Sequence, residues 1–126
     1  MDALEKLKEL TVLYVEDEFI TRESLGRFIK RRVREIYIAE NGKTGLELFL
    51  KEHPDIVITD IEMPVMNGIE MINKIRESSL EVPIIITTAY NDDKHKSKAA
   101  SSVVIKPIIQ EELIEAMLLC VQSIGL

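Results

Sequence analysis

The sequence predicts an α/β domain whose parallel sheet lies between two layers of helices, and three observations lead to that fold class. Short apolar runs rich in β-branched residues alternate along the chain with amphipathic segments of helical period. The runs are apolar at nearly every position, which is typical of strands covered on both faces. The 126 residues have the length of one domain and no linker interrupts them, so we expect residues 1–126 to form a single unit.

The predicted elements follow from these patterns in chain order. Strands are predicted at Thr11–Val15, Glu35–Ala39, Asp55–Thr59, Val82–Thr88 and Ser102–Ile105. Apolar residues spaced by three and four predict helices from Phe19 to about Val33 and at Gly42–Glu52, Gly68–Glu77 and Gln110–Ser123, with a short leading helix within Asp2–Leu10. Strands that alternate with helices are expected to be parallel and joined by right-handed crossovers.

Composition and charge argue against several classes of protein. The formal net charge of −6 at pH 7 disfavours unaided binding to nucleic acid or to acidic membranes. The N-terminus lacks a basic start followed by an apolar stretch, and no apolar run approaches the ~20 residues that span a bilayer. Cys120 is a lone cysteine in an apolar run, which is typical of a buried apolar residue. We therefore expect a cytoplasmic protein.

The polar residues that end the apolar runs predict where the chemistry lies, because ligands of open α/β sheets bind beyond the carboxyl ends of the strands. In chain order these ends are Glu16-Asp17-Glu18, Glu40-Asn41, Asp60, Thr87-Thr88 and Lys106. Carboxylates that lie close together raise one another's pKa unless a cation joins them, and hard oxygen ligands suit Mg²⁺. A solvated acidic loop is the alternative interpretation of Glu16 and Asp17 taken alone.

Lys106 and Thr88 favour a more specific site. An ammonium group at the end of the last strand is a point charge suited to phosphate, and Thr88 adds a hydroxyl donor from the fourth strand. A carboxylate nucleophile, a hard-metal site, a lysine and a hydroxyl together indicate phosphoryl transfer to an aspartate.

In this order and spacing, the residues resemble the receiver domain of two-component response regulators. The segments that carry the resemblance are Val15-Glu16-Asp17-Glu18, residues 55–68 with their D-x-x-M-P-x-M-x-G block, Pro83-Ile84-Ile85-Ile86-Thr87-Thr88-Ala89, and Lys106-Pro107. The match runs from about Thr11 to the C-terminus. The resemblance implies a flavodoxin-like doubly wound sheet of five parallel strands in the order 2-1-3-4-5.

The resemblance also implies a role for each site residue. Asp60 is expected to be the phosphoacceptor. Mg²⁺ is expected to bind Asp17 and Asp60, Glu16 directly or through water, and the backbone carbonyl of Glu62. Thr88 resembles the switch hydroxyl that turns toward the phosphoryl group, with the Ala89 N–H beside it, and Lys106 is expected to bridge the phosphoryl oxygens. The Lys106–Pro107 peptide is expected to be cis.

The partners implied by the resemblance are a sensor histidine kinase or a phosphotransfer protein upstream, and an output domain or protein downstream. The chain is expected to be a regulatory domain that catalyses only its own phosphorylation and dephosphorylation. It is either a stand-alone receiver or part of a longer protein, and no direct contact with nucleic acid or membrane is expected.

Two departures from the family pattern lie near the end of the chain. Residues 90–101 form a shorter connection than is usual and contain no Leu, Ile, Val, Met or Phe, so we expect the family's fourth helix to be shortened or missing. Val103 replaces the usual Tyr or Phe three positions before Lys106. These departures predict an exposed apolar edge at Val103, Val104 and Ile105, and they motivate the hypothesis of a homodimer through the face formed by residues 103–126.

Three other functions have sequence signatures that can be compared with this chain. An aspartate-nucleophile phosphatase would have a second aspartate where Glu62 stands. In a flavin carrier, a Ser/Thr/Gly-rich phosphate loop would replace Glu16-Asp17-Glu18, whose charges repel such a ligand. A phosphorylation-independent interaction module on a receiver scaffold is the main alternative, but it would normally have lost the acidic pair, the acceptor or the lysine, and all are present here.

Overall fold

A computed structural model of the protein describes residues 2–89 and 99–125. Its strands form a five-stranded sheet in the order β2-β1-β3-β4-β5, and every neighbouring pair is parallel. The elements are α1 (Ala3–Leu7), β1 (Thr11–Val15), α2 (Phe19–Lys30), β2 (Glu35–Ala39), α3 (Gly42–Glu52), β3 (Ile56–Asp60), α4 (Gly68–Ser78), β4 (Ile84–Thr88), β5 (Ser102–Ile105) and α5 (Gln110–Ile124). The predicted fold class and strand order are confirmed.

The shortened or missing helix predicted between β4 and β5 falls almost entirely on residues 90–98, which lie outside the described residues. Within the described part of the chain, no helix has the length and apolar character needed to cross a membrane.

Two apolar layers cover the sheet. On one face, α1, α2 and α5 contribute buried side chains that include Leu7, Phe28 and Met117. On the other face, α3 and α4 contribute Phe49 and Ile72 among others. Because helices cover both faces, β1, β3 and β4 are buried along their whole length. Their carboxyl ends therefore meet at one edge of a rigid core.

Three strand boundaries differ from the prediction by one or two residues: β3 starts and ends one residue later, and β4 starts two residues later. Asp55 precedes β3 because its Oδ2 accepts hydrogen bonds from the backbone N and the Oγ1 of Thr11, at 2.8 and 3.1 Å. The fourth strand begins at Ile84 instead of Val82, since the Val82 amide donates to Ser79 Oγ at 3.2 Å and not to a neighbouring strand. Local side-chain bonds thus compete with the sheet at both positions.

The start of β5 is tied to α4 by Arg76. Its Nε and Nη2 donate to the Ala99 carbonyl at 3.0 and 2.6 Å, and its Nη1 donates to the carbonyls of Ser79 and Val82. Two residues later, Ser101 N donates to the Ile84 carbonyl at 2.7 Å. The guanidinium therefore joins α4, the turn before β4 and the entry to β5.

The apolar edge predicted along β5 is less exposed than expected. Val104 is only 4% exposed because it packs in the same layer as Leu113 and Met117 of α5. Val103 and Ile105 are half-buried. The prediction was wrong for Val104, since the last helix covers that face of the strand. The expected burial of Cys120 is confirmed.

Candidate functional site

Three carboxylates meet at the carboxyl edge of the sheet. Glu16 and Asp17 follow β1, and Asp60 is the last residue of the adjacent strand β3. One carboxylate oxygen from each residue lies within 4.8 Å of the others. Glu16 and Asp60 are buried, whereas Asp17 is exposed. The structure thus brings together the three acidic side chains that the strand ends predicted to be neighbours.

Lys106, one residue beyond β5, enters the same cluster. Its Nζ lies 3.0 Å from Asp60 Oδ2 and 3.3 Å from Glu16 Oε1. The peptide that joins it to Pro107 is cis, as expected. Burial lowers the pKa of Lys106, but the hydrogen bond to Asp60 and the charges of Asp60 and Glu16 outweigh burial and raise it. The lysine is therefore held in its charged form beside the carboxylates.

Glu16 is a fully buried acid that lies close to the carboxylate of Asp60. Burial and the charge of Asp60 raise its pKa to about 7, although the Glu18 amide and Lys106 oppose that shift. One ammonium group stands against three carboxylates, so the cluster retains an excess of negative charge. A hard cation at this position would relieve that excess, and three carboxylate donors fit Mg²⁺ chemically.

Asp60 is fixed at the end of β3 by its own backbone surroundings. Its Oδ1 accepts a hydrogen bond from Ile61 N at 2.7 Å, while Oδ2 is bonded to Lys106. Gly68, the first residue of α4, packs directly on the Asp60 carbonyl, and a Cβ at that position would overlap the carbonyl oxygen. The glycine that closes the D-x-x-M-P-x-M-x-G block therefore lets α4 start directly against the end of β3.

The other predicted site residues lie at the same edge of the sheet. Thr88 ends β4 and is buried, and its carbonyl accepts a hydrogen bond from Lys106 N at 2.7 Å. Ala89 follows it and is exposed. Glu62 lies in the loop two residues after Asp60, with its side chain exposed. Within the described residues, the carboxylate cluster contains Glu16, Asp17 and Asp60 but not the Glu62 side chain.

Two neighbours of the site were not predicted from the sequence. Glu18 is the N-cap of α2, with its Oε2 accepting from Thr21 N at 2.6 Å, so the third acid of the run belongs to the helix and not to the cluster. Arg22 of α2 donates from Nη1 to the carbonyls of Glu16 and Asp17, at 2.9 and 3.2 Å. The sequence signal for this contact is the position of Arg22, in the first turn of a helix that begins just after the acidic pair.

Val103, the second departure, pairs with Ile86 of β4 and packs with the apolar layer of α3 and α4. An aliphatic side chain therefore occupies the position beside the fourth strand where the family usually has an aromatic ring.

Comparisons with known proteins agree with this geometry. The family model described as "Response regulator receiver domain" matches residues 12–118. The regulatory protein AtoC of Escherichia coli is 37% identical over 106 residues, which cover 81% of this chain and 23% of that protein. A cyclic di-GMP phosphodiesterase of Thermotoga maritima is 36% identical over 108 residues, which cover 82% of this chain and 29% of that protein.

Among solved structures, the N-terminal domain of an uncharacterized protein from Wolinella succinogenes is similar with a TM-score of 0.82 and 33% sequence identity. The similarity covers 91% of this chain and 95% of that domain. The chain spans less than a third of the length of the two curated relatives, 29% and 23%. It therefore corresponds to one segment of those larger proteins.

Proposed function

Because the chain belongs to the response regulator receiver domain family, we propose that it is a phosphorylatable signalling switch whose acceptor is Asp60. The phosphoryl group would come from a phosphohistidine on a sensor histidine kinase or a phosphotransfer protein. The observation that carries this proposal is Lys106 Nζ, which contacts both Asp60 and Glu16 in a cluster of three carboxylates.

The proposed reaction is a displacement at phosphorus. An oxygen of Asp60 forms a bond to phosphorus as the phosphorus–nitrogen bond of the donor breaks, and the electron pair of that bond returns to the imidazole. The attacking group is the Asp60 carboxylate, whose Oδ2 lies 3.0 Å from Lys106 Nζ. Positioning and charge neutralisation supply most of the catalysis in such transfers.

Mg²⁺ is the proposed cofactor, because hard carboxylate oxygens make up the donor set. Asp17 and Asp60 would hold it, with Glu16 and the Glu62 carbonyl completing the protein ligands. When bound, Mg²⁺ supplies positive charge to the phosphoryl oxygens. Lys106 would contribute a second positive charge by moving from the Asp60 carboxylate to a phosphoryl oxygen.

The proposed output is a change of the partner-binding face. Thr88 and Ala89 are at the end of β4, which lies between β3 with Asp60 and the edge strand β5. The Thr88 hydroxyl and the Ala89 amide would bond the phosphoryl group when it forms. The resemblance implies that an aromatic ring three positions before the lysine usually moves as the switch hydroxyl turns, and Val103 has no ring that could move in this way. We therefore propose that the change reaches the surface through strands β4 and β5 themselves.

The proposed switch is a regulatory activity and does not involve catalysis on a separate substrate. We propose a cytoplasmic regulatory domain that acts on no separate substrate and controls an output domain or protein. One relative is named as a cyclic di-GMP phosphodiesterase, but this chain covers 29% of it, so that activity is assigned to the relative alone. A phosphorylation-independent interaction module is the alternative, and the complete set of Glu16, Asp17, Asp60 and Lys106 favours the switch.

The proposal is tested by incubating the protein with acetyl phosphate and Mg²⁺ and recording its intact mass. We expect the wild type to gain one phosphoryl group, and we expect no gain with EDTA or in Asp60→Asn. Phosphorylation of Asp60→Asn, or labelling that EDTA leaves unchanged, would contradict the proposal. No labelling by acetyl phosphate or by any phosphohistidine donor would favour the interaction module.

A further inference from the structure

The acidic pair poses a geometric problem. Consecutive residues of an extended strand point to opposite faces of the sheet. Glu16 and Asp17 are consecutive, yet a carboxylate oxygen from each lies within 4.8 Å of the other and of one on Asp60. The backbone must therefore leave strand geometry at these two residues, and something must hold it in the new direction.

Two other hydrogen bonds near the acidic pair do not hold the peptide groups of both Glu16 and Asp17. The Glu16 amide donates to the Ala39 carbonyl at 3.1 Å, which continues the pairing of β1 with β2. Glu18 N donates to Glu16 Oε2 at 3.1 Å, and this bond orients the Glu16 side chain. The carbonyls of Glu16 and Asp17 instead point to a single group, the Nη1 of Arg22, at 2.9 and 3.2 Å.

Arg22 is well placed to hold these carbonyls. Its own amide donates to the Glu18 carbonyl at 2.9 Å, so its backbone belongs to the first turn of α2. Its guanidinium carbon lies 5.5 Å from the centre of the Phe19 ring, and the side chain is half-buried. The first turn of α2 thus presents one guanidinium nitrogen to two successive carbonyls.

We propose that Arg22 is a positioning residue for the metal site, which holds the Glu16 and Asp17 peptides so that their carboxylates converge with Asp60. The inference rests on the proposed function, because it assumes that this cluster binds Mg²⁺. Arg22 also has an opposite effect, since its positive charge repels a dication. The two effects change the Mg²⁺ affinity in opposite directions, so the direction of the measured change shows which of them is larger.

The test is the Mg²⁺ affinity of the full chain, measured by calorimetric titration of wild type, Arg22→Ala, Arg22→Lys and Arg27→Ala. Arg27 is an exposed arginine of the same helix and serves as the matched control. We expect Arg22→Ala to weaken Mg²⁺ binding by roughly tenfold, at the low end of the effects of residues that orient metal ligands. Arg22→Lys should recover part of that loss, and Arg27→Ala should bind as the wild type does.

A second readout needs no metal. In the metal-free protein, the carbonyl carbon shifts of Glu16 and Asp17 should move in Arg22→Ala and stay unchanged in Arg27→Ala. If Arg22→Ala does not fold, Arg22→Lys provides both measurements. Unchanged or tighter Mg²⁺ binding in Arg22→Ala would overturn the inference, and tighter binding would show that the repulsive effect of Arg22 prevails. Asp17→Asn separates this failure from that of the proposed function, because a wild type that binds Mg²⁺ no better than Asp17→Asn would contradict the metal site itself.

Discussion

Lys106 Nζ lies 3.0 Å from Asp60 Oδ2, so a lysine that follows β5 reaches across β4 to the last residue of β3. The same nitrogen lies 3.3 Å from Oε1 of Glu16, the residue that follows β1. One side chain thus connects the carboxyl ends of three strands and compensates the charge of two buried acids.

Removal of that charge is expected to destabilise the metal-free protein. Lys106→Met leaves the Asp60 and Glu16 carboxylates uncompensated, and we expect the free energy of unfolding at pH 8 to fall by roughly 1–2 kcal/mol. Lys43→Met, at an exposed lysine of α3, should change it by less than about 0.5 kcal/mol. Urea unfolding in EDTA measures both. Equal stabilities of wild type and Lys106→Met would show that the ion pair contributes nothing net.

The raised pKa of Glu16 predicts a pH dependence of stability. Its folded-state pKa of about 7 lies above the ordinary 4.5, owing first to burial and then to Asp60, with Lys106 opposing. The folded protein therefore binds this proton more tightly than the unfolded chain does. Its contribution to stability is complete below pH 4.5 and is lost as the pH rises through about 7.

We accordingly expect the metal-free protein to lose stability between pH 5 and 7 more steeply than Glu16→Gln does. Millimolar Mg²⁺, which favours the ionised carboxylate, should flatten that loss in the wild type. Denaturant unfolding at a series of pH values provides the measurement. Parallel curves for wild type and Glu16→Gln would refute the assignment.

Two buried hydroxyls, on Tyr14 and Thr87, have no hydrogen-bond partner among the described residues. A buried hydroxyl without a partner costs about 1–3 kcal/mol, so Tyr14→Phe is expected to raise the free energy of unfolding by roughly 1 kcal/mol. Tyr37→Phe is the comparison, since Tyr37 is only half-buried and its hydroxyl is not one of the buried groups without a partner, so its removal should not stabilise the protein. A less stable Tyr14→Phe protein would show that this hydroxyl is hydrogen-bonded in solution.

Gly68 and Gly26 give a matched pair of glycine substitutions. A Cβ at Gly68 would overlap the Asp60 carbonyl oxygen, so Gly68→Ala should displace the start of α4 and cost about 1–3 kcal/mol. A Cβ at Gly26, inside α2, would meet only the tip of Ile38 at 3.2 Å. Gly26→Ala should therefore be neutral or stabilising by up to about 1 kcal/mol. Thermal unfolding that ranks the two variants in reverse order would contradict the close approach at Asp60.

The sequence predicted the features that depend on periodicity and order along the chain. Apolar runs located the strands, and the polar residues at their ends placed Glu16, Asp17, Asp60 and Lys106 at one edge. The missed features depend on side-chain direction. Whether Glu18 caps a helix or joins a cluster, and whether Arg22 turns toward two carbonyls, is decided by rotamers that no spacing encodes. The burial of Val104 depends on how α5 lies across the sheet.

Because Arg76 holds the entry to β5, the register of β5 does not depend on the length of the connection that precedes it. The guanidinium fixes the Ala99 carbonyl from α4, and Ser101 then pairs with Ile84, so β5 starts from an anchor within the folded core. Insertions or deletions within residues 90–98 are therefore expected to leave the alignment of Lys106 with Asp60 intact. For protein engineering, residues 90–98 are therefore a position at which foreign sequence can be inserted, because the anchor of β5 lies outside them.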